Sequence, residues 1–136
     1  MSTWQRGMRC LQAVFLHANP FHRTTVTIDG QPLDVNVATT PEQWACGLTA
    51  PIDAEALLFV LDGRRLPFTM HGVNEPVLIA FFSERGEQVD VAILQAHNGF
   101  RWPTADYRYA LELPCTSWHY APPLLTGHAW LNANPR

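Results

Sequence analysis

LLFVLDGRRLPFTMHGVNEPVLIAFFSERGEQVDVAIL, residues 57–94, is the stretch that decides the fold. It contains three apolar runs of 5 to 7 residues, at 57–61, 76–82 and 89–94, which are separated by Gly, Pro and charged residues. Runs of this length and punctuation are typical of β-strands rather than helices. The continuous run at 76–82 predicts a strand covered on both faces, and the alternation in 89–94 predicts a strand with one wet face.

Two hairpins are predicted from the turn residues between apolar runs. Residues 83–87 have the length and composition of a hairpin loop, with a glycine available for a positive φ. Residues 24–28 and 33–37 both alternate, and the Asp29-Gly30 pair between them is a type I′ turn signal. Each pair of runs is therefore expected to form antiparallel neighbours.

One short helix is predicted between residues 40 and 47. Thr40 is a suitable N-cap, Pro41 suits the first helical position, and Gln43 completes a capping box. Gly47 is placed to end the helix in the left-handed region. Farther along, apolar and polar residues alternate through 107–113, which predicts a last strand that ends at a proline.

These elements predict a mostly β fold, a small antiparallel β-barrel or sandwich of about seven strands with one short helix. At 136 residues the chain is long enough for one domain with its own core. We expect a β domain at residues 24–114, an N-terminal arm at 1–23 and an aromatic and proline-rich C-terminal arm at 115–136. Both arms are apolar, so each must be covered by its own chain or by a neighbour.

Short motifs at residues 38–48, 57–60, 68–70, 76–82 and 109–114 follow one another in a specific order. This order resembles that of the DUF192 family over residues 34–114. The family is a group of small β-rich proteins found in bacteria, archaea and phages, and the resemblance implies a fold but no activity. Two departures stand out: family members typically read Phe-Trp-Met-Lys-Asn-Thr where this chain has residues 68–73, and Asp where it has Ile79.

Composition excludes several classes of function. The net charge is −3, and the nine basic residues are all arginines. Without lysine the chain has neither Schiff-base chemistry nor a P-loop lysine. No basic run provides a footprint for nucleic acid, so no nucleic-acid partner is expected. No segment is long enough to span a membrane, so no membrane partner is expected either.

The cysteines and the N-terminal sequence bear on the compartment. Three cysteines, at 10, 46 and 115, are an odd number at wide spacing and predict free thiols rather than a disulfide framework. The apolar run near Leu11 is interrupted by Gln12, and no small-residue cleavage site follows, so there is no convincing signal peptide. We expect a cytoplasmic protein, or one within an assembled particle.

No catalytic set, metal site or cofactor is predicted. Cys115 and His119 are four residues apart, but no pair of His and Cys residues has the spacing of a known zinc motif. The candidate ligand-binding residues lie instead on two polar loops: His71, Glu75, His97 and Trp102. The candidate interface residues are aromatic and lie on the arms: Trp4, Phe15, Phe21, Trp118, Tyr120 and Trp130.

Two functional hypotheses remain open. The first is a non-catalytic structural or interaction module that assembles through its arms, with itself or with other proteins, into an oligomer or a larger particle such as a phage virion. The alternative is a protein that binds a small ligand, for example a carbohydrate, or a weak enzyme, with a pocket at the barrel mouth.

Overall fold

The computed structural model describes residues 20–63 and 65–134. Within them the chain forms nine strands, two short α-helices and two 3-10 helices. The strands are β1 His22–Ile28, β2 Gln31–Ala38, β3 Ala56–Val60, β4 Phe68–Thr69, β5 Val77–Phe82, β6 Gln88–Leu94, β7 Phe100–Arg101, β8 Tyr109–Pro114 and β9 Leu131–Asn132. The helices are α1 Pro41–Cys46 and α2 Pro122–Leu125, and the 3-10 helices are Gly47–Thr49 and Cys115–Tyr120.

Seven strands form one curled sheet, half of a barrel, in the order β6-β5-β8-β3-β2-β1-β9, while β4 and β7 form a small second sheet. The mostly β fold is therefore confirmed. Most neighbours in the large sheet are antiparallel as predicted, but β2 and β3 are parallel. A parallel pair needs a crossover connection. Here α1 and the first 3-10 helix supply it, which places them over one face of the sheet.

The predicted local signals are present. Asp29 and Gly30 both have positive φ, 49° and 81°, in the hairpin that joins β1 to β2. The capping box at the start of α1 forms as predicted, with the Gln43 amide N–H donating to Thr40 Oγ1. Gly47 ends the helix with a φ of 51°, but its ψ of −144° lies outside the left-handed helical region.

The C-terminal segment folds back onto its own chain. β9 pairs with β1, and the Leu131 amide donates to the Gly86 carbonyl oxygen at 2.8 Å. The backbone N–H of Gln88 donates to the Ala129 carbonyl oxygen at 3.0 Å. Residues 129–131 therefore bridge the β1 and β6 edges of the curled sheet. The sequence left open whether this arm packs on its own chain, and the structure shows that residues 115–134 do.

The two faces of the sheet carry separate apolar cores. The helix-side core includes Cys46, Leu57, Phe59, Ile79 and Phe81. The C-terminal core lies on the other face and includes Leu58, Leu78, Leu111, Leu124 and Leu131. Consequently β5 is buried on both faces, as its continuous apolar run predicts.

β6 departs from the expected division into a dry and a wet face. Gln88, a polar residue, is buried, whereas Ile93 is 52% exposed. The reason is that β6 is an edge strand whose first residue is covered by the C-terminal segment and whose later residues are not. Alternation alone therefore gave the wrong exposure at both ends of this strand.

Candidate ligand-binding cleft

A cleft of about 360 Å³ opens where the β2–β3 crossover, the loop before β5 and the end of β8 meet. Its apolar wall is formed by Leu48, Ile52, Val73, Val77 and Pro114. Its ionisable lining residues are Glu55 and Glu75, and the hydroxyl of Ser117 also lines it. The lining thus combines apolar contact surface with a few polar groups, as small-molecule sites do.

A buried amide holds one wall of this cleft in place. Asn36 lies within β2, and its side chain is fully buried. Its Oδ1 accepts hydrogen bonds from the backbone amides of Asp53 and Ala54, at 2.9 and 3.2 Å. Its Nδ2 donates to Asp53 Oδ1 at 2.8 Å and to the His22 carbonyl oxygen at 3.3 Å. The loop that carries Glu55 is therefore fixed by a fully bonded side chain of the sheet.

The two carboxylates of the cleft each accept a hydrogen bond from the segment that follows β8. Ser117 Oγ donates to Glu55 Oε2 at 3.0 Å, and Cys115 Sγ donates to Glu75 Oε2 at 3.5 Å. Desolvation and the hydrogen bond to the Glu75 carboxylate raise the pKa of the Cys115 thiol. Cys115 is therefore a protonated thiol at neutral pH, and its environment is the opposite of that of an activated nucleophile.

A third carboxyl group, that of Glu112, lies in the interior next to the cleft. Strand register places Glu112 between Leu57 and Ile79, in the helix-side core, and the side chain is 3% exposed. Burial alone raises its pKa to about 8, so the carboxyl is neutral at pH 7. Among the residues that the structure describes, none forms a hydrogen bond or ion pair with it.

Glu112 is not one of the residues that line the cleft, but two lining residues lie close to it along the chain or the strand. A Cβ built on Gly47 would lie 3.7 Å from Glu112 Oε1, so the carboxyl sits against the turn whose next residue, Leu48, lines the cleft. Pro114 is two residues farther along the same strand, on the same face, and also lines the cleft. Glu112 therefore lies in the core, behind the apolar wall of the cleft.

The structure brings only one of the four predicted ligand-binding residues to the cleft. Glu75 lines it, while His71, His97 and Trp102 are exposed and do not. The two loops do touch, because the His97 amide donates to the Val73 carbonyl oxygen at 2.9 Å. No hydrogen bond joins the four side chains to one another in the described part of the chain.

The predicted interface residues are distributed over several environments. Phe21 is buried in the helix-side core, and Trp118 is half-buried with its indole N–H donating to the Leu113 carbonyl oxygen at 3.0 Å. Tyr120 is half-buried, with its ring 4.2 Å from that of His119. Trp130 is 48% exposed. The other two, Trp4 and Phe15, lie outside the described residues.

Sequence reasoning missed Glu112 and Glu55. The one signal for Glu112 was an acidic residue inside the apolar run at residues 109–113, which alternation alone would assign to a solvated face. Glu55 carried no signal, since it follows a short loop without any motif. Its position became meaningful only when the chain crossover placed it opposite Ser117.

Two further features limit the kinds of site present. Within the described ranges, no three side chains of His, Cys, Asp or Glu gather where they could hold a metal ion. In the same residues no helix has both the length and the apolar character needed to cross a membrane.

Comparison with known proteins places this architecture in a family. The sequence model of DUF192, described as "Uncharacterized ACR", matches residues 24–118. The chain belongs to the DUF192 family. No protein of curated function matches this DUF192 chain.

Two crystal structures share the DUF192 fold seen here. A protein of unknown function from Novosphingobium aromaticivorans is 18% identical, with a TM-score of 0.67 over 84% of this chain and 89% of that one. A protein from Sinorhizobium meliloti described as a "putative transcription regulator" is 19% identical, with a TM-score of 0.65 over 82% of this chain and 94% of that one. At these identities the likeness concerns the fold alone.

Proposed function

We propose that this DUF192 protein is a small-ligand-binding module whose site is the cleft beside Glu112. The observation that carries the proposal is the buried carboxyl of Glu112, which forms no hydrogen bond or ion pair within residues 20–63 and 65–134. A buried polar group without a hydrogen bond costs about 1 to 3 kcal/mol of folding free energy. The buried side chains of Asn36 and Gln88 in the same fold are bonded. A carboxyl that has no partner in the described part of the chain, and that lies close to a cleft without lining it, is a group that a ligand could stabilise.

The position of the C-terminal segment also supports a site within one chain. Because residues 129–131 bridge the sheet edges, their backbone and the Ala129 and Leu131 side chains contribute to the core of their own chain. The cleft itself is in the size range of small-molecule pockets, roughly 300 to 1,000 Å³. Its lining of apolar side chains with two carboxylates suits a ligand with an aliphatic part and polar groups.

A fragment screen by NMR tests this proposal. We expect small polar fragments, sugars and amines among them, to shift the amide signals of cleft residues such as Leu48, Val77 and Thr116. An Ala54→Trp variant, which fills the cleft, should abolish those shifts. Ala105→Trp is the matched control, because Ala105 is similarly half-buried but does not line the cleft. If no fragment perturbs the cleft, or if Ala54→Trp leaves the shifts unchanged, the proposal fails.

A second candidate, a contact module in an assembly of like or unlike chains, is favoured by exposed apolar side chains. Ile93, Phe100 and Trp102 are all more than half exposed and lie on β6, β7 and the residue after β7. Exposed aromatic groups of this kind are common anchors of protein interfaces. Here the contact surface would be the β6–β7 side of the domain rather than the C-terminal segment.

Light scattering on the full chain and on a Phe100→Ser, Trp102→Ser double variant tests the second candidate. If the module assembles through this surface, the full chain will have the mass of an oligomer and the double variant that of a monomer. A double variant at two exposed polar positions, Thr69→Ser and Glu84→Gln, serves as the control. A full chain that is monomeric at all concentrations would exclude self-assembly.

A further inference from the structure

The β2–β3 crossover covers Glu112 with a single layer of chain. A Cβ built on Gly47 would lie 3.7 Å from Glu112 Oε1, and this glycine begins the first 3-10 helix. A few residues farther on, Ala50 and Ile52 pack against the helix-side core and also line the cleft. Residues 47–52 therefore separate the helix-side core from the cleft.

This layer is held in place at its two ends. At the first end, the capping box forms at the start of α1, and the Trp44 indole N–H donates to the Ala38 carbonyl oxygen of β2 at 3.1 Å. At the second end, Asn36 Oδ1 accepts hydrogen bonds from the backbone amides of Asp53 and Ala54. Both ends of the crossover are thus fixed to β2.

Between these ends the crossover has the features of a hinged segment. The Ala50 amide donates to the Gly47 carbonyl oxygen at 3.3 Å, and Thr49 Oγ1 donates to the Cys46 carbonyl oxygen. Both bonds join residues three positions apart, so they support the turn without tying it to the sheet. Gly47 has a φ of 51° and a ψ of −144°, which residues other than glycine rarely adopt. Local opening and hinge motion are typical of segments held in this way.

The sheet is harder to open on the other sides of Glu112. Strand register places Glu112 between Leu57 of β3 and Ile79 of β5, and both strands are paired on both sides within the seven-stranded sheet. Separating either strand from β8 would leave buried backbone groups without hydrogen bonds. Displacement of the crossover is therefore the easier way to bring water to the carboxyl.

Among the described residues, no cation faces Glu112 to stabilise its ionised form. Burial is the one cause of its raised pKa, and β3 and β5 carry no titratable side chain. The titratable groups on the other elements around it are all acidic or neutral at pH 7: Glu42 and Cys46 of α1, Asp53 and Glu55 at the end of the crossover, Tyr107 in the helix-side core and Tyr109 on the opposite face of β8.

We propose that residues 47–52 form a hinged cover that opens when the Glu112 carboxyl releases its proton to water and closes when the proton returns. A neutral carboxyl is tolerated in the core, whereas a carboxylate without a cation is costly there. Opening of the cover hydrates the carboxylate while the sheet stays folded. The cover involves only the chain and water, so it does not depend on the proposed ligand.

Amide hydrogen exchange of the full chain, followed residue by residue by NMR between pH 5 and pH 8, tests the cover. The Gly47 and Ala50 amides are suitable probes because both are hydrogen-bond donors in the crossover. With a Glu112 pKa of 4.5 in the open form and about 8 in the closed form, each opening releases one proton in this range. After correction for intrinsic exchange, the protection factors of both amides should fall about tenfold per pH unit.

Two sets of amides in the same spectra are internal controls. The Gly99 amide, in the β6–β7 loop, donates to the Gln95 carbonyl oxygen, and its local opening does not uncover Glu112. Its protection factor should stay constant. The slowest amides of β3 and β5 report global unfolding, and their protection factors should exceed those of Gly47 and Ala50 throughout the range.

Variants assign the pH dependence to Glu112. Glu112→Gln should remove it at Gly47 and Ala50, because glutamine does not titrate, whereas Glu84→Gln, at an exposed position, should retain it. Constant protection of Gly47 and Ala50 in the natural chain, or a pH dependence that survives in Glu112→Gln, would overturn the proposed cover. Protection equal to that of the slowest β3 and β5 amides would also overturn it, since Glu112 would then reach water only on global unfolding.

Discussion

Among the described residues, each face of the sheet buries one long polar side chain, and only one of the two is hydrogen-bonded. On the C-terminal side, Gln88 donates to the Leu124 carbonyl oxygen at 2.8 Å and accepts from the Ala129 amide at 2.9 Å. On the helix side, Glu112 is as deeply buried but has no partner among the described residues. The two side chains differ by one group, an amide against a carboxyl, and are buried to 5% and 3% exposure.

This difference separates a buried polar group that stabilises the fold from one that does not. The side-chain amide of Gln88 joins β6 to the segment that bridges the sheet edges, so its hydrogen bonds stabilise the fold. Glu112 forms no such bond in the part of the chain that the structure describes, and its burial raises its pKa and opposes folding whenever the carboxyl ionises. A buried polar group that does not stabilise the chain is the observation on which the proposed ligand site rests.

The largest expected effect is the removal of the Glu112 carboxyl at mildly alkaline pH. The folded-state pKa of about 8 exceeds the ordinary value of 4.5, so the folded chain holds a proton that the unfolded chain has lost. The stability of the natural chain should therefore be intact below pH 4.5 and fall as the pH rises towards 8, by about 4 kcal/mol in all.

Glu112→Gln should abolish that loss, because glutamine does not titrate. Denaturant titrations of both chains at pH 5 and pH 8 measure it. The variant should be more stable than the natural chain by about 4 kcal/mol at pH 8, with a much smaller difference at pH 5. If the free energy of unfolding changes with pH in the same way in both chains, the pKa of Glu112 is not raised by folding. The contrast with Gln88 would then be removed.

Gln88→Leu should have the second largest effect, and it should lower the stability of the chain rather than raise it. It leaves the Leu124 carbonyl oxygen and the Ala129 amide without their side-chain partner in a buried setting, which should destabilise the chain by about 3 kcal/mol. Chemical denaturation measures the loss. Gln95→Leu, at an exposed position, should change stability by no more than about 0.5 kcal/mol. If Gln88→Leu is neutral, the Gln88 hydrogen bonds do not hold the bridging segment.

Gly47→Ala should have a moderate effect. At a φ of 51° and a ψ of −144°, outside the left-handed helical region, an added Cβ is strained, which costs about 1 to 3 kcal/mol. Its distance of 3.7 Å from Glu112 Oε1 is an ordinary contact and adds no clash. Gly127→Ala is the control, because Gly127 also has a positive φ, 76°, but has open space around it.

Thermal denaturation measures the stability of both glycine variants. Gly47→Ala should be at least as destabilising as Gly127→Ala, because the φ and ψ of Gly47 lie in a region that residues other than glycine rarely enter. A smaller loss in Gly47→Ala would show that the turn relaxes around the added methyl group.

The smallest effect is expected at Glu75, one of the two carboxylates that line the cleft. The Glu75 carboxylate contributes to the raised pKa of the Cys115 thiol, after desolvation. Glu75→Gln should therefore increase the rate at which iodoacetamide alkylates Cys115 at pH 8, by a factor of about three. Peptide mass spectrometry distinguishes Cys115 from the other two cysteines. An unchanged rate would mean that desolvation alone protects the thiol.

Local sequence signals predicted the parts of the fold that depend on neighbours along the chain. The Asp29-Gly30 turn, the Thr40 capping box and the doubly buried β5 all depend on residues within a few positions of one another. The parallel β2–β3 pair could not be predicted this way, because it depends on where a crossover lays the chain. The burial of Gln88 and exposure of Ile93 depend on a segment about 40 residues away.

The candidate site was harder to predict than the fold for the same reason. Glu75 was named because it lies on a polar loop, a local property. Glu55 and Ser117 come together across 62 positions of sequence, and Glu112 is buried only because both faces of β8 are covered. Long-range packing of this kind leaves no periodic trace in the residues that it brings together.

The bridge formed by residues 129–131 has a consequence for biosynthesis. These residues are translated after every strand from β1 to β8, and until they leave the ribosome the β1 edge and the first residues of β6 have no strand partner on that side. Nascent chains thus expose two sheet edges and the apolar surface that Leu124 and Leu131 later cover. A ribosome that stalls near the end of the messenger RNA would release a truncated chain that is prone to aggregation, although this chain would contain all of the cleft.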